Sequence, residues 1–339
     1  MRPLFRLLRT SVVLACLAAP AAAQVPHPAD VFGFEPGADY HLADYGQMVD
    51  YYRRLDAASD RVQVVEIGES VQGRPLMLVY VSSAENLQRL ERWRTTSERL
   101  ARARIAEDEA RLLAREGRAV VWIDGGLHAT EVAGAQMTPL LAYRVATEET
   151  PEMQRIRDGV VLLLMPVMNP DGLDIVAGWY RRHRGTPFEA TSPPWLYHVY
   201  AGHDNNRDWF MNNLPETRAV SEVLYRQWFP QIVVNHHQSA PAWARIFVPP
   251  FADPVNPKIH PGVTTAVNMV GSAMANRFAM EGMPGVVSGE IYSMWWNGGM
   301  RTVPYFHNMV GILTEVAHAG ASPRRYDPEA WPDTVAGLR

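Results

Sequence analysis

Short runs of β-branched and aliphatic residues alternate with longer stretches of helical spacing, and that alternation constrains this 339-residue chain more than any other feature. Residues 120–124, 160–167, 232–235 and 310–314 are apolar runs of strand length, and 132–146, 216–228 and 262–281 repeat their apolar positions at helical intervals. Strands that alternate with helices join in parallel through crossover connections. The expected fold class is therefore α/β: a single domain with a mixed, mostly parallel twisted sheet flanked by helices on both faces. Near the start, runs at 61–67 and 75–81 bracket a glycine-bounded turn at 68–73 and predict an antiparallel hairpin. Residues 85–116, dense in arginine and glutamate, predict a solvated surface helix. In sheets of this kind the ligand crevice opens beyond the carboxyl ends of the strands, so the residues standing at those ends carry the function.

Residues 1–23 have the pattern of a secretory leader: Arg2, Arg6 and Arg9, an apolar stretch from Ser11 to Ala19, and Ala21-Ala22-Ala23 before Gln24. The stretch is too short to span a bilayer. Cleavage near Ala23 predicts an exported protein, periplasmic or secreted, whose one domain occupies 24–339. A competing reading anchors the chain as a lipoprotein through Cys16, the single cysteine of the sequence. With the leader removed, neither a disulfide nor a thiolate ligand is available, and any metal must be held by histidine and carboxylate. A net charge of −4 gives no electrostatic footprint for nucleic acid. The segment 322–332 is rich in proline and charge where a closing helix is expected, as in a shortened ending or a fragment of a longer chain. The sequence leaves the oligomeric state open.

After the 120–124 run and Gly125-Gly126 stands His128-Ala-Thr-Glu131, an imidazole and a carboxylate three residues apart. At the head of a helix that spacing turns both side chains toward one rim of the sheet. A catalytic zinc takes three nitrogen or oxygen ligands and keeps a fourth position for water, so a second histidine is required from another element. The 232–235 run leads directly into His236-His237.

Five motifs then follow one another in order: His128-x-x-Glu131, Asn169-Pro170-Asp171-Gly172, Asp204-Asn205-Asn206-Arg207, the strand-end histidine, and Glu315 closing the last apolar run. Together they resemble the zinc metallocarboxypeptidases of the carboxypeptidase A type, from about residue 40 to about residue 318. The resemblance implies one Zn2+ ion held by His128, Glu131 and His237, the two-histidine, one-glutamate set established for carboxypeptidase A itself. His237 is preferred to His236 because the family pattern is Asp-x-His at a strand end; Asn235 stands here where that pattern has aspartate. The likeness also implies Glu315 as general base, Asp204 as the acceptor that orients His128, and Asn206 and Arg207 as the pair that grips a substrate's C-terminal carboxylate. A guanidinium fork suits that last task, since it binds a carboxylate bidentately. Arg182, in Trp179-Tyr180-Arg181-Arg182-His183-Arg184, is implied as the cation facing the oxyanion, with the register open by one residue. Tyr292 is implied as the tyrosine that closes over substrate, and Tyr305 competes for that role. Asn169-Pro170-Asp171-Gly172 reads as a turn that marks the scaffold, and Trp295-Trp296-Asn297-Gly298-Gly299 as a wall of the specificity pocket.

The leading functional expectation is a zinc-dependent exopeptidase acting outside the cytoplasm on peptides with a free C-terminal carboxylate. An alternative keeps the zinc and Glu315 but acts as an amidohydrolase on cell-wall peptides or N-acyl amino acids. A third makes the chain a zinc- or peptide-binding module without catalysis; the presence of every ligand and of the late glutamate argues against it. A serine hydrolase is disfavoured because the chain has no Gly-x-Ser-x-Gly elbow.

Overall fold

The computed structural model describes residues 24–196, 204–241 and 243–317. The leader expected at 1–23 and the proline-rich segment at 322–332 lie outside the described residues. One sheet contains β1 (Val62–Glu69), β2 (Pro75–Val81), β3 (Ala119–Asp124), β4 (Val160–Met165), β5 (Ile232–His237), β6 (Ile246–Phe247), β7 (Val286–Val287) and β8 (Val310–Val316), in the order β1-β2-β4-β3-β5-β8-β6-β7. The four central strands β4, β3, β5 and β8 are parallel; β1 pairs antiparallel to β2, β2 to β4 and β6 to β8, while β7 runs parallel to β6. The mixed α/β architecture expected from the alternation is thus the one adopted.

The helices are α1 (Pro28–Phe32), α2 (Tyr45–Ala58), α3 (Ala84–Leu87), α4 (Leu90–Arg102), α5 (Glu107–Glu116), α6 (Val132–Thr147), α7 (Pro151–Gly159), α8 (Pro170–His183), α9 (Pro215–Glu222) and α10 (Pro261–Met280). Two apolar layers form because successive strand residues face opposite ways. Val79, Val81, Leu162 and Leu164 meet Tyr51, Tyr52 and Leu55 of α2 and Val145 of α6 on one face. Leu76, Leu78, Trp122 and Leu163 meet Trp93 of α4 and Trp228 on the other. Each fully buried side chain of this size contributes about 1.5–3 kcal/mol. Burial on both faces is why the central runs are apolar without alternation. No helix of the described residues is long and apolar enough to cross a membrane.

Two local expectations need correction. The predicted 85–116 helix is three helices: α4 stops where Ala103 turns left-handed at φ 50°, and Trp93, 2% exposed beneath the Arg92 and Arg118 guanidinium groups, packs it onto the sheet. The expected turn at 169–172 is a helix start. Asn169 caps α8 by accepting from the Gly172 N–H at 2.9 Å, and Pro170 takes the first helical position. Asparagine and proline serve turns and helix N-termini equally well, so only the periodicity that follows separates the two. Asp171, 2% exposed, accepts from Ser70 Oγ, the Gln72 N–H and Arg74, and so ties the β1–β2 hairpin to α8.

Two features of the backbone set up the site. A Cβ built on Gly125 would fall 2.6 Å from the Gly134 carbonyl, so only glycine lets the exit of β3 rest backbone-to-backbone on the first turn of α6. The parallel registers then pair Asp124 with Asn235 and His237 with Glu315.

Candidate metal centre

His128 and Glu131 lie on the short connection from β3 to α6, and His237 is the last residue of β5. The Glu131 carboxylate stands between the two rings: Oε1 is 2.9 Å from His128 Nδ1, and Oε2 is 2.8 Å from His237 Nδ1. One ligand atom from each residue falls within 4.8 Å of the others, a spread that a single ion can bridge. Strand alternation turns His236 to the opposite face, where its Nδ1 lies 2.6 Å from Thr314 Oγ1. The donor set fits zinc: two imidazole nitrogens and a carboxylate, with both Nδ1 atoms convergent and both Nε2 atoms engaged behind.

His128 Nε2 is 2.8 Å from Asp204 Oδ1. Burial alone would lower the pKa of His128, but its hydrogen bonds and charge interactions with Asp204 and Glu131 overcome that and push it up to about 10. The same pairing, against the opposing effect of burial, holds Glu131 well below the usual carboxylate range and Asp204 down at about 2. The centre therefore favours positive charge, which a dication supplies more fully than a proton.

Behind His237 lies a chain that accounts for the asparagine at 235. His237 Nε2 donates to Asn235 Oδ1 at 2.6 Å, Asn235 Nδ2 donates to Asp124 Oδ1 at 2.6 Å, and Trp122 Nε1 donates to Asp124 Oδ2 at 2.8 Å. The carboxylate has stepped back by one strand, and a neutral amide relays its orientation to the ring. Burial pushes Asp124 up to about 6, although Trp122 and Asn235 partly offset it. A carboxyl whose folded pKa is raised prefers the protonated form, so the folded state loses stability as pH rises from the unfolded value of about 4 through the folded one. Asn235→Asp would set a second carboxylate against the first and raise the pair further. That variant is expected to be tolerated at pH 5 and to lose about 1–3 kcal/mol by pH 8. The exchange Asp124→Asn with Asn235→Asp should restore it, because the introduced amide can accept from Trp122 and donate to the introduced carboxylate. Thermal melts of both variants at the two pH values test this; a single variant indifferent to pH removes the relay.

Glu315, paired in register with His237, is 4% exposed. Burial is the main cause that lifts its pKa above the ordinary glutamate value. Ser239 donates to its Oε2 from both the backbone N–H, at 2.6 Å, and Oγ, at 2.9 Å, which fixes the carboxylate's orientation. Sequence reasoning missed Ser239; its place two residues beyond His237 was the available signal. Tyr292 donates from its hydroxyl to the Ser239 carbonyl at 2.9 Å, on a backbone held left-handed at φ 63°. Burial first, then the charge of Glu315, pushes its phenol up to about 12. Tyr305 is 1% exposed and packs in the core behind the loop. Of the two tyrosines, Tyr292 is the one on the cavity wall.

The cavity, about 660 Å³, gathers His128, Glu131, His237, Glu315, Asp204, Asn206, Arg207 and Tyr292. Arg207 is 53% exposed, lies over the Trp296 ring at 5.1 Å and sits 3.6 Å from Asp204 Oδ2. Asn206 accepts from the Met300 N–H at 2.8 Å, and its Nδ2 lies 3.2 Å from His237 Nε2. The Trp295 to Gly299 loop reaches the cavity through Trp296 and Gly299. Arg182 does not: it is exposed on the last turn of α8 and does not line the cavity. Each helical step turns about 100°, and the neighbouring Arg181 reaches back to Asp44 at 2.6 Å. A different guanidinium, Arg301, stands in the wall. It follows the Trp295 to Gly299 loop by two residues, and extending that loop was the signal that would have found it.

The family model described as zinc carboxypeptidase matches residues 48–246, more than half of the chain, and the chain belongs to that family. It is similar to Carboxypeptidase Z of Homo sapiens, 29% identical over 137 residues that make up 39% of this chain and 17% of that protein. Carboxypeptidase Z of Rattus norvegicus matches over the same length at 28% identity. The alignment thus spans about a sixth of the length of these curated relatives. Among solved structures, thrombin activatable fibrinolysis inhibitor superposes with a TM-score of 0.54 at 15% identity, covering 88% of this chain and 76% of that one. Carboxypeptidase A from Helicoverpa armigera gives 0.56 at 14% identity, covering 86% and 70%. At such identities the likeness is one of fold.

Proposed function

We propose that this chain is a zinc-dependent exopeptidase that hydrolyses the C-terminal peptide bond of peptides outside the cytoplasm. The observation that carries the reading is the convergence, at the carboxyl ends of β3, β5 and β8, of a two-histidine, one-glutamate set with a separately held carboxylate, Glu315. His128, Glu131 and His237 would hold the ion. When bound there, zinc supplies Lewis acidity and a water whose pKa is lowered to about 7.

The chain's own groups supply the rest. Glu315, fixed by Ser239, is placed to accept the proton of the attacking water and return it to the leaving amine. Asp204 and the Asn235–Asp124 relay hold each imidazole in the tautomer that presents Nδ1. Arg207 offers the substrate's terminal carboxylate a guanidinium stiffened by its stacking on Trp296. Asn206 joins that grip if its amide turns from His237 toward the carboxylate, and Tyr292 closes over the bound residue from the Ser239 side. Arg182, outside the cavity wall, enters none of these steps. Export follows from the leader pattern in 1–23.

Peptides with free and amidated C-termini, offered side by side to the zinc-loaded protein, test the proposal. The amidated forms should fall by about 10²-fold or more in kcat/KM, since their loss leaves a charge-assisted pair unmade. Equal cleavage of both sinks the exopeptidase reading, and preferential release from purified peptidoglycan moves it to a cell-wall amidohydrolase.

A further inference from the structure

Two guanidinium groups line the cavity, and they are held differently. Arg207 has a carboxylate beside it, Asp204 at 3.6 Å. Arg301, half-buried, has only neutral partners: it donates to the Tyr305 hydroxyl at 3.0 Å and to the Ser293 carbonyl at 3.1 Å, and it lies 4.2 Å over the Phe251 ring. Among the described residues no carboxylate pairs with it. Guanidinium does not shed its proton in a protein, so a charge taken partly out of water here is left without a counter-ion among the described residues. Two of its five N–H donors are engaged, and the fork is locked rather than swinging. The backbone is equally fixed: a Cβ on Gly311 would fall 1.9 Å from the Arg301 carbonyl, so the loop rests directly on β8 four residues before Glu315. A rigid, uncompensated cation facing a cavity of about 660 Å³ is built to receive an anion.

We propose that Arg301 is a specificity-determining residue that receives the side-chain carboxylate of an acidic C-terminal residue, glutamate or aspartate, while Arg207 takes the α-carboxylate. This rests on the exopeptidase reading and names its substrate class. A terminal dicarboxylate would satisfy both guanidinium groups at once. A terminal lysine or arginine would set a second cation against Arg301, and a neutral amide would forgo the charge-assisted bond.

The test uses the full chain loaded with zinc and N-acyl dipeptides ending in Glu, Gln or Lys. A charged partner for Arg301 should favour Glu over Gln by about tenfold to a hundredfold in kcat/KM. Arg301→Met should bring that ratio close to one, and Arg301→Glu should reverse the preference toward Lys. The same peptides titrated calorimetrically into the Glu315→Gln protein should rank in the same order by Kd, which reads Arg301 without turnover. Equal treatment of Glu and Gln by the unaltered protein, or a Glu preference that survives Arg301→Met, overturns the assignment and leaves the exopeptidase reading standing. Failure to cleave any free-acid peptide overturns that reading instead, and the Kd ranking then still decides for or against Arg301.

Discussion

Glu315→Gln should lower kcat on free-acid peptides by about 10²- to 10⁴-fold, the usual weight of general acid–base catalysis, while the protein keeps its zinc. The two side chains are nearly isosteric, and the amide oxygen can still accept from Ser239, which reaches this group at 2.6 and 2.9 Å. What the amide cannot do is take a proton from water. The loss should fall on kcat with little change in KM, because the proton moves only in the transition state. Stability should not suffer. Burial raises the pKa of Glu315, so in the metal-free protein its charged form is the one that folding disfavours, and that penalty grows as pH rises through the folded pKa. A neutral isostere removes it, and the melting temperature of the metal-free variant at neutral pH should match or exceed that of the parent. Metal content, steady-state kinetics and melting on one preparation decide the matter. Activity within tenfold of the parent, with zinc still bound, would take the base role away from Glu315.

Much of this site was legible before any coordinates because its residues sit where strand patterns end. His128 and Glu131 close the β3 exit, His237 ends β5, and Glu315 stands one residue before the end of β8; apolar periodicity shows the strands, and the polar residues at their ends stand out against it. Lateral relations were not legible. Periodicity shows which residues share a face of a strand, but not which residue of the next strand lies opposite. Asp124, inside the 120–124 run, therefore carries no signal of its own in the sequence, and it acquires a role only once β3 and β5 align it with Asn235. Ser239 and Arg301 belong to connections whose path depends on packing rather than on local spacing. Arg182 failed for a helical reason: one step along α8 separates a side chain bonded to α2 from one in solvent, and the resemblance that pointed to it was open by that same single step.

Withdrawing zinc should have the other large effect, and it separates the metal's contribution from that of the base. Dialysis against a strong chelator is expected to abolish hydrolysis, and added Zn2+ to restore it. His237→Ala removes a ligand rather than an outer partner, so its zinc affinity should fall by more than the 10- to 100-fold typical of outer-partner changes, roughly 10³-fold or beyond. At zinc levels about a hundred times the Kd, the ion should stabilise the folded chain by about 2.7 kcal/mol, which for a domain of this size raises the melting temperature by about 4 °C. Uptake should also release a proton. In the metal-free chain His128 is held charged between Asp204 and Glu131, and a cation that takes Nδ1 must displace the hydrogen directed at Glu131. Binding accordingly tightens as pH rises across the neutral range, and titrations in buffers of different ionisation enthalpy would count the proton released. The two variants then diverge in a way that neither alone can show: Glu315→Gln melts with the full zinc-dependent shift and does not turn over, whereas His237→Ala loses the shift and the activity together. If His237→Ala keeps the zinc-dependent shift, β5 does not supply a ligand, and the convergence of the three strand ends has another cause.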